Sequence, residues 1–448
     1  MSIQSDHPVR KCLIYATMGG VFVVLSLGSC VQDTSTSIPA PSEVARITVG
    51  DEVPELLVAD VSGDGLDDLV AADAQGGLYP HYQGGIIYLL AGPVQSRDLA
   101  SDGADLVLRG QEAFRRYGQT LAAADMNGDG QRDIAIASDL GQDGVSKVVV
   151  VNGSLRGEHP LEDSAFLKID GPPTLGQAMT SMDYNGDGAD DLVLSCPVRS
   201  EVYIVLGPRT GHVVLPDDAD AVIAAGTGSL GWTMSPGRFG PNGATRLAMA
   251  EPVREAVYVV PAGALGRHAV EEIAAATIRS SDSMDNVLGC EGIAGLPGAG
   301  DRLVVRTRRA DSEQIGTVFM LDGPIVGNVD VRKDSALMLD NVHIGHTMSP
   351  AMGEPPLALG PMLALGFPAQ PQLPESSLTG QVWVVSANLS GVHDLSPASL
   401  GPLWTVRGPD AGATLFGNRV RFGALRRAGT ADLVVAGAGT VVIYGWGG

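Results

Sequence analysis

D-V-S-G-D-G-L-D-D at 60–68, D-M-N-G-D-G-Q-R-D at 125–133 and D-Y-N-G-D-G-A-D-D at 183–191 are three copies of one nine-residue loop. Each sets oxygen-bearing side chains at positions 1, 3, 5 and 9, with glycine at position 6. Alternate side chains of such a loop point inward and the glycine allows the sharp turn at its centre, which is how a short loop wraps a hard cation. The expected ligands are Asp60, Ser62, Asp64 and Asp68; Asp125, Asn127, Asp129 and Asp133; and Asp183, Asn185, Asp187 and Asp191. The seventh residues, Leu66, Gln131 and Ala189, would each add a backbone carbonyl. The expected metal is Ca2+, about three ions.

An EF-hand loop runs to a bidentate Glu at position 12 and lies between two amphipathic helices. Here position 12 is Ala71, Ile136 or Leu194, and the flanks are short apolar runs such as L-L-V-A, D-L-V-A-A and D-I-A-I-A. Runs of that length bounded by Gly and Asp read as buried strands. The loops are therefore expected to be strand-to-strand turns.

The chain of 448 residues is rich in Gly (59) and Pro (28), shows no long amphipathic helix, and reads as all-β. Its 51 acidic residues against 29 basic ones give a net charge of −22, which argues against nucleic acid as a partner. At the N-terminus, Arg10 and Lys11 precede an apolar stretch from Cys12 to Leu27, and Leu27-Gly28-Ser29-Cys30 resembles a bacterial lipobox. We expect a lipoprotein signal over 1–29, lipid on Cys30, a flexible tether over 30–43, and placement at a bacterial cell envelope. Of the remaining cysteines, Cys196 and Cys290 fall in non-neighbouring repeats and are expected to be buried thiols.

Aligning the loops exposes a longer repeat. Aromatic- or aliphatic-Gly pairs recur at Tyr117-Gly118, Leu175-Gly176, Leu230-Gly231, Leu288-Gly289, Ile344-Gly345 and Phe416-Gly417. Post-loop strands follow at 68, 133, 191, 246, 302, 362 and 432, and later strands at 85, 147, 201, 256, 316, 380 and 440. Seven units of about 55 to 70 residues, each of about four strands, suit a β-propeller, whose ring also removes exposed sheet edges. Each unit opens on a short strand, as in L-V-L-R-G at 106 and W-T-V-R-G at 404. The first copy, A-R-I-T-V-G at 45, stands before the first full unit and is expected to complete the last blade.

The combination of Phe/Leu-Gly, then D-x-N-G-D-G-x-x-D, an apolar strand and Gly-x-Val-Tyr resembles the FG-GAP repeats of the integrin alpha-subunit propeller, over about residues 44–448. The resemblance implies a seven-bladed propeller with calcium in strand-connecting loops on one face. The chain departs from that pattern in keeping only three cation loops and in replacing most of the Phe before Gly.

Other motifs carry blander readings. Gly226–Gly231 matches G-x-G-x-x-G, but the following W-T-M-S-P-G is not a helix start, so no nucleotide is expected. His343 and His346, three apart in a strand, would face opposite ways. Asp67 and Asp190 read as solvated loop carboxylates, and Trp232, Trp383, Trp404 and Trp446 as core packing. No catalytic constellation is recognisable. The expected function is a non-catalytic adhesion or binding module for a protein or glycan, with loop 371–379 (P-Q-L-P-E-S-S-L-T) as a candidate contact. The alternatives are an envelope polysaccharide lyase or hydrolase on a propeller scaffold, or a scaffold subunit.

Overall fold

Along strand Asp68–Asp73, Leu69 and Ala71 pack to one side and Val70 and Ala72 to the other. The first pair joins Val434, Ala436, Val441 and Ile443, nearly 370 residues away; the second joins Ile134, Ile136, Val149 and Val151 of the following unit. A strand with period-two side chains, apolar on both faces, must be covered on both. Here each sheet is sandwiched between the sheets before and after it. Small and β-branched residues fill these interfaces, as in Asp133–Ala137 and Ser146–Val151.

The computed structural model describes residues 40–448 apart from 51–54, 140, 294–300, 312–314, 344–349, 354–361, 368–379, 387–389, 395–403, 408–415, 429, 438 and 447–448. The expected signal segment, Cys30, Ile344-Gly345, His346 and loop 371–379 lie outside the described residues. Ala40–Gly448 forms one compact unit. Among the described residues no helix is long and apolar enough to cross a membrane.

The architecture is an all-β propeller. Six sheets have five strands and one, built on Pro350–Gly353, Met362–Phe367, Gln381–Ser386 and Trp404–Arg407, has four. In the first unit, Glu55–Ala59, Asp68–Asp73, Ile86–Leu90 and Leu106–Arg109 pair antiparallel in that order. The innermost strands touch in succession, from Glu55–Ala59 through Thr120–Ala124 and onward to Arg419–Gly423, which meets Glu55–Ala59 again. The ring is latched by Ser42–Thr48, which pairs antiparallel with Thr440–Gly445 as expected from the sequence. Glu55 reinforces the closure, meeting Arg419 at 2.6 Å and Arg421 at 3.3 Å.

Two expectations need correction. The strand that opens each sequence repeat, such as Leu106–Arg109, is the fourth strand of the preceding sheet. In addition, the unit is five-stranded in six sheets, so only six of the seven expected units are full blades. The fifth strand is a short segment from the next unit's connector, pairing parallel with the fourth: Gly157–Pro160 on Leu106–Arg109, Gly211–Val214 on Ala165–Gly171, and so on to Gly391–Asp394 on Leu337–His343. In the closing blade the third and fourth strands, Thr440–Gly445 and Ser42–Thr48, come from opposite ends of the chain. Among the described residues no connector strand adds a fifth strand to the four-stranded sheet.

Candidate functional site

The three acidic loops join first strands to second strands, and their position 9 residues, Asp68, Asp133 and Asp191, begin the second strands with their side chains buried. The hydrogen bonding is the same in each. The position 1 carboxylate accepts from the backbone N–H of positions 4 and 6: Asp60 from Gly63 (2.7 Å) and Gly65 (2.9 Å), Asp125 from Gly128 and Gly130 (both 2.8 Å), Asp183 from Gly186 (2.7 Å) and Gly188 (3.0 Å). Asp64, Asp129 and Asp187 accept from the N–H of Leu66, Gln131 and Ala189 at 2.8 Å. The position 9 carboxylates accept from Val61 and Ser62, Met126 and Asn127, and Tyr184 and Asn185. Gly65, Gly130 and Gly188 have φ of 88°, 86° and 88°, which L side chains rarely adopt.

Position 3 sets a donor against the carboxylates. Ser62 Oγ lies 3.3 Å from Asp68, Asn127 Nδ2 3.0 Å from Asp129 and 3.1 Å from Asp133, and Asn185 Nδ2 2.7 Å from Asp187. In the closing unit the corresponding residue is Arg426, whose guanidinium donates to the buried Asp432 at 2.7 and 3.1 Å. That unit thus supplies its own cation. The position 9 carboxylates of the three acidic loops have none among the described residues: burial, then the neighbouring Asp129 and Asp125 charges, push Asp133 up to about 7. Burial likewise raises Asp68 and Asp191. All these donors are oxygens and suit a hard cation. As placed, however, no three His, Cys, Asp or Glu side chains converge at metal-holding distance among the described residues.

Asp67 and Asp190 are not the solvated carboxylates that the sequence suggested. Asp67 accepts from Ala424 N at 2.7 Å, Asp190 from Asp125 N at 3.0 Å, and Asp301, at the same place in its unit, from Arg238 N at 2.6 Å. Each reaches the first loop position of the preceding blade. The same three units add a second tie after a Gly-Pro turn: Val94 N to Leu425 O, Arg209 N to Met126 O and Ile325 N to Phe239 O. A sequence signal existed, since Gly92-Pro93, Gly207-Pro208 and Gly323-Pro324 occur in the units that carry these aspartates.

The opposite ends of the sheets carry the loops from second to third strands. Among them, 74–85 exposes Leu78, Tyr79 and Tyr82, the first two at 84% and 79%. The tyrosine rings pack edge to face at 5.9 Å, and the exposed Phe114 donates its N–H to Tyr82 O at 2.7 Å. Arg116 N to Gln83 O and a contact of His81 with Gln111 O fix this loop against the next turn.

The remaining motifs resolve plainly. Gly226–Gly231 forms a turn whose Ser229 N–H donates to Glu251, and a strand follows. Trp446 is buried against Phe422, but Trp232 is half-exposed, contrary to the core reading. Cys196 and Cys290 are buried in separate clusters and are not disulfide-linked.

The FG-GAP repeat family matches residues 117–151, from the Tyr117-Gly118 turn through the second acidic loop to the end of strand Ser146–Val151. The chain is a β-propeller that carries an FG-GAP repeat. Phosphatidylinositol-glycan-specific phospholipase D of Rattus norvegicus is 36% identical to the propeller over 152 residues, 31% of this chain and 18% of that protein. Integrin alpha-PS5 of Drosophila melanogaster is 26% identical over 160 residues, 33% of this chain and 15% of that protein. The matches thus span less than a fifth of either relative. The solved Dos1 propeller aligns over 92% of this chain and 96% of its own at a TM-score of 0.45 and 11% identity.

Proposed function

We propose that this FG-GAP propeller is a binding module for a protein or glycan, seven-bladed, calcium-stabilised in its three acidic loops, and tethered by lipid on Cys30 at a bacterial envelope. The observation that carries the binding reading is the exposed cluster of Leu78, Tyr79, Tyr82 and Phe114, held in place by backbone hydrogen bonds. Exposed apolar side chains on a fixed loop mark contact surfaces, because they lose unfavourable hydration only against a partner. Calcium would be held by Asp60, Ser62, Asp64 and Asp68 and their counterparts. When bound it supplies positive charge to buried carboxylates, which is a structural service. The test is capture of envelope proteins and glycans on immobilised full chain, beside a Tyr79→Ala, Tyr82→Ala, Phe114→Ala triple variant. A retained partner lost in the variant at unchanged melting temperature supports the reading. Equal retention, or none, refutes it.

A further inference from the structure

The aliphatic- or aromatic-Gly turn normally buries an apolar side chain, as Leu175, Leu230 and Phe416 show. In the second unit the residue is Tyr117, fully buried, and its hydroxyl has no hydrogen-bond partner among the described residues. The repeat does not need that hydroxyl, since phenylalanine serves at 416, and an unmet buried donor is costly. It borders a cavity of about 210 Å³ whose lining includes Glu112, Glu162, Asp170, Lys147, Lys168 and His212. Burial, then the Glu162 and Glu112 charges, push the Tyr117 hydroxyl well above its usual range, so it stays a donor.

The charged groups divide into satisfied and unsatisfied ones. Glu112 is bonded by Lys147 at 2.7 Å and by Arg115 at 2.6 Å. His212 faces Asp170 at 3.1 Å. Glu162 accepts from the N–H groups of Gln111 and Glu112 and has no ion-pair partner among the described residues. Lys168, exposed on strand Ala165–Gly171, has none either. The cavity therefore brings together charges of both signs that lack an ion-pair partner among the described residues, Glu162 and Lys168, beside the donating Tyr117 hydroxyl. A neutral sugar would leave both charges uncompensated, and a simple anion would leave one.

We propose that this cavity binds a small zwitterion of amino-acid size, its ammonium toward Glu162 and its carboxylate toward Lys168, with the Tyr117 hydroxyl as a further hydrogen-bond partner. The site lies on the third, fourth and fifth strands of its blade and on the turn of Glu112 and Tyr117, whose Tyr117 N–H donates to Gly84 O of the aromatic loop at 3.1 Å.

The test is a thermal melt and isothermal titration of the full chain with glycine, serine, lysine and glutamate at millimolar concentration, with glucose and acetate as comparisons. At least one amino acid should raise the midpoint while glucose and acetate do not. Tyr117→Phe, which adopts the residue type already used at 416, should fold and bind about tenfold more weakly, the loss of one hydrogen bond to a charged group. Lys168→Ala, on the surface, should weaken binding similarly. No response to any amino acid, an equal response in both variants, or a response to glucose or acetate alone would overturn the proposal.

Discussion

Replacing Asp67, Asp190 or Asp301 by Ala leaves a backbone N–H of the neighbouring blade without its acceptor, at Ala424, Asp125 or Arg238. Each substitution should cost about 1–3 kcal/mol in urea unfolding, with the loops' response to calcium intact for Asp301→Ala, which is remote from them. These residues were visible in the sequence, but their task was not, because the partner of Asp67 lies 357 positions away. Charge pairing is equally local in effect. Hydrogen bonds from Arg115 hold Asp143 down to about 2 from an ordinary 3.8. A depressed carboxylate stabilises the fold above its unfolded pKa and loses that contribution as pH falls through the folded one. Melting temperature should therefore drop between roughly pH 4 and 2, and Asp143→Asn should flatten that limb. The half-exposed carboxylate limits the effect to about 0.5–1 kcal/mol.

At the level of the loop, the acidic turns and the closing unit make opposite predictions. Calcium should raise the melting midpoint of the wild-type chain, chelator should reverse it, and Asp64→Ala, Asp129→Ala and Asp187→Ala should remove the gain stepwise. No shift at millimolar calcium would mean the loops are closed by their own hydrogen bonds. Arg426→Ala instead strands the buried Asp432 and should cost about 3–5 kcal/mol whatever the calcium concentration. The acidic loops were legible because their glycines and oxygens recur at fixed spacing. Arg426 was not, since a guanidinium standing where others place Ser or Asn breaks the motif while keeping its charge logic. The fifth strands escaped for a different reason. G-E-H-P, G-H-V-V, G-R-H-A, G-N-V-D and G-V-H-D, and the two-residue Arg97–Asp98 of the closing blade, are short and mostly exposed, so hydrophobic periodicity is silent, although the first five open on Gly.

For the whole molecule, the ring depends on one latch. Ile47, fully buried in Ser42–Thr48 and opposite Val441, joins the first and last units. Ile47→Ala should lower stability by about 2–5 kcal/mol in equilibrium unfolding, more than the same truncation at a half-exposed site. The recurrence of apolar strands made the ring legible from sequence, because two-sided apolar strands can only be buried by neighbours on both sides. The borrowed fifth strand also sets an order in time. A ribosome releases each of the first five blades with its outer edge bare until the next unit's connector emerges, so those blades are finished by their successors. Ser42–Thr48, among the first strands out, waits through nearly 400 residues of synthesis for Thr440–Gly445. At about 5–20 residues per second this leaves an unpaired edge for tens of seconds, and nascent chains halted before residue 440 should be the species that holdase chaperones retain.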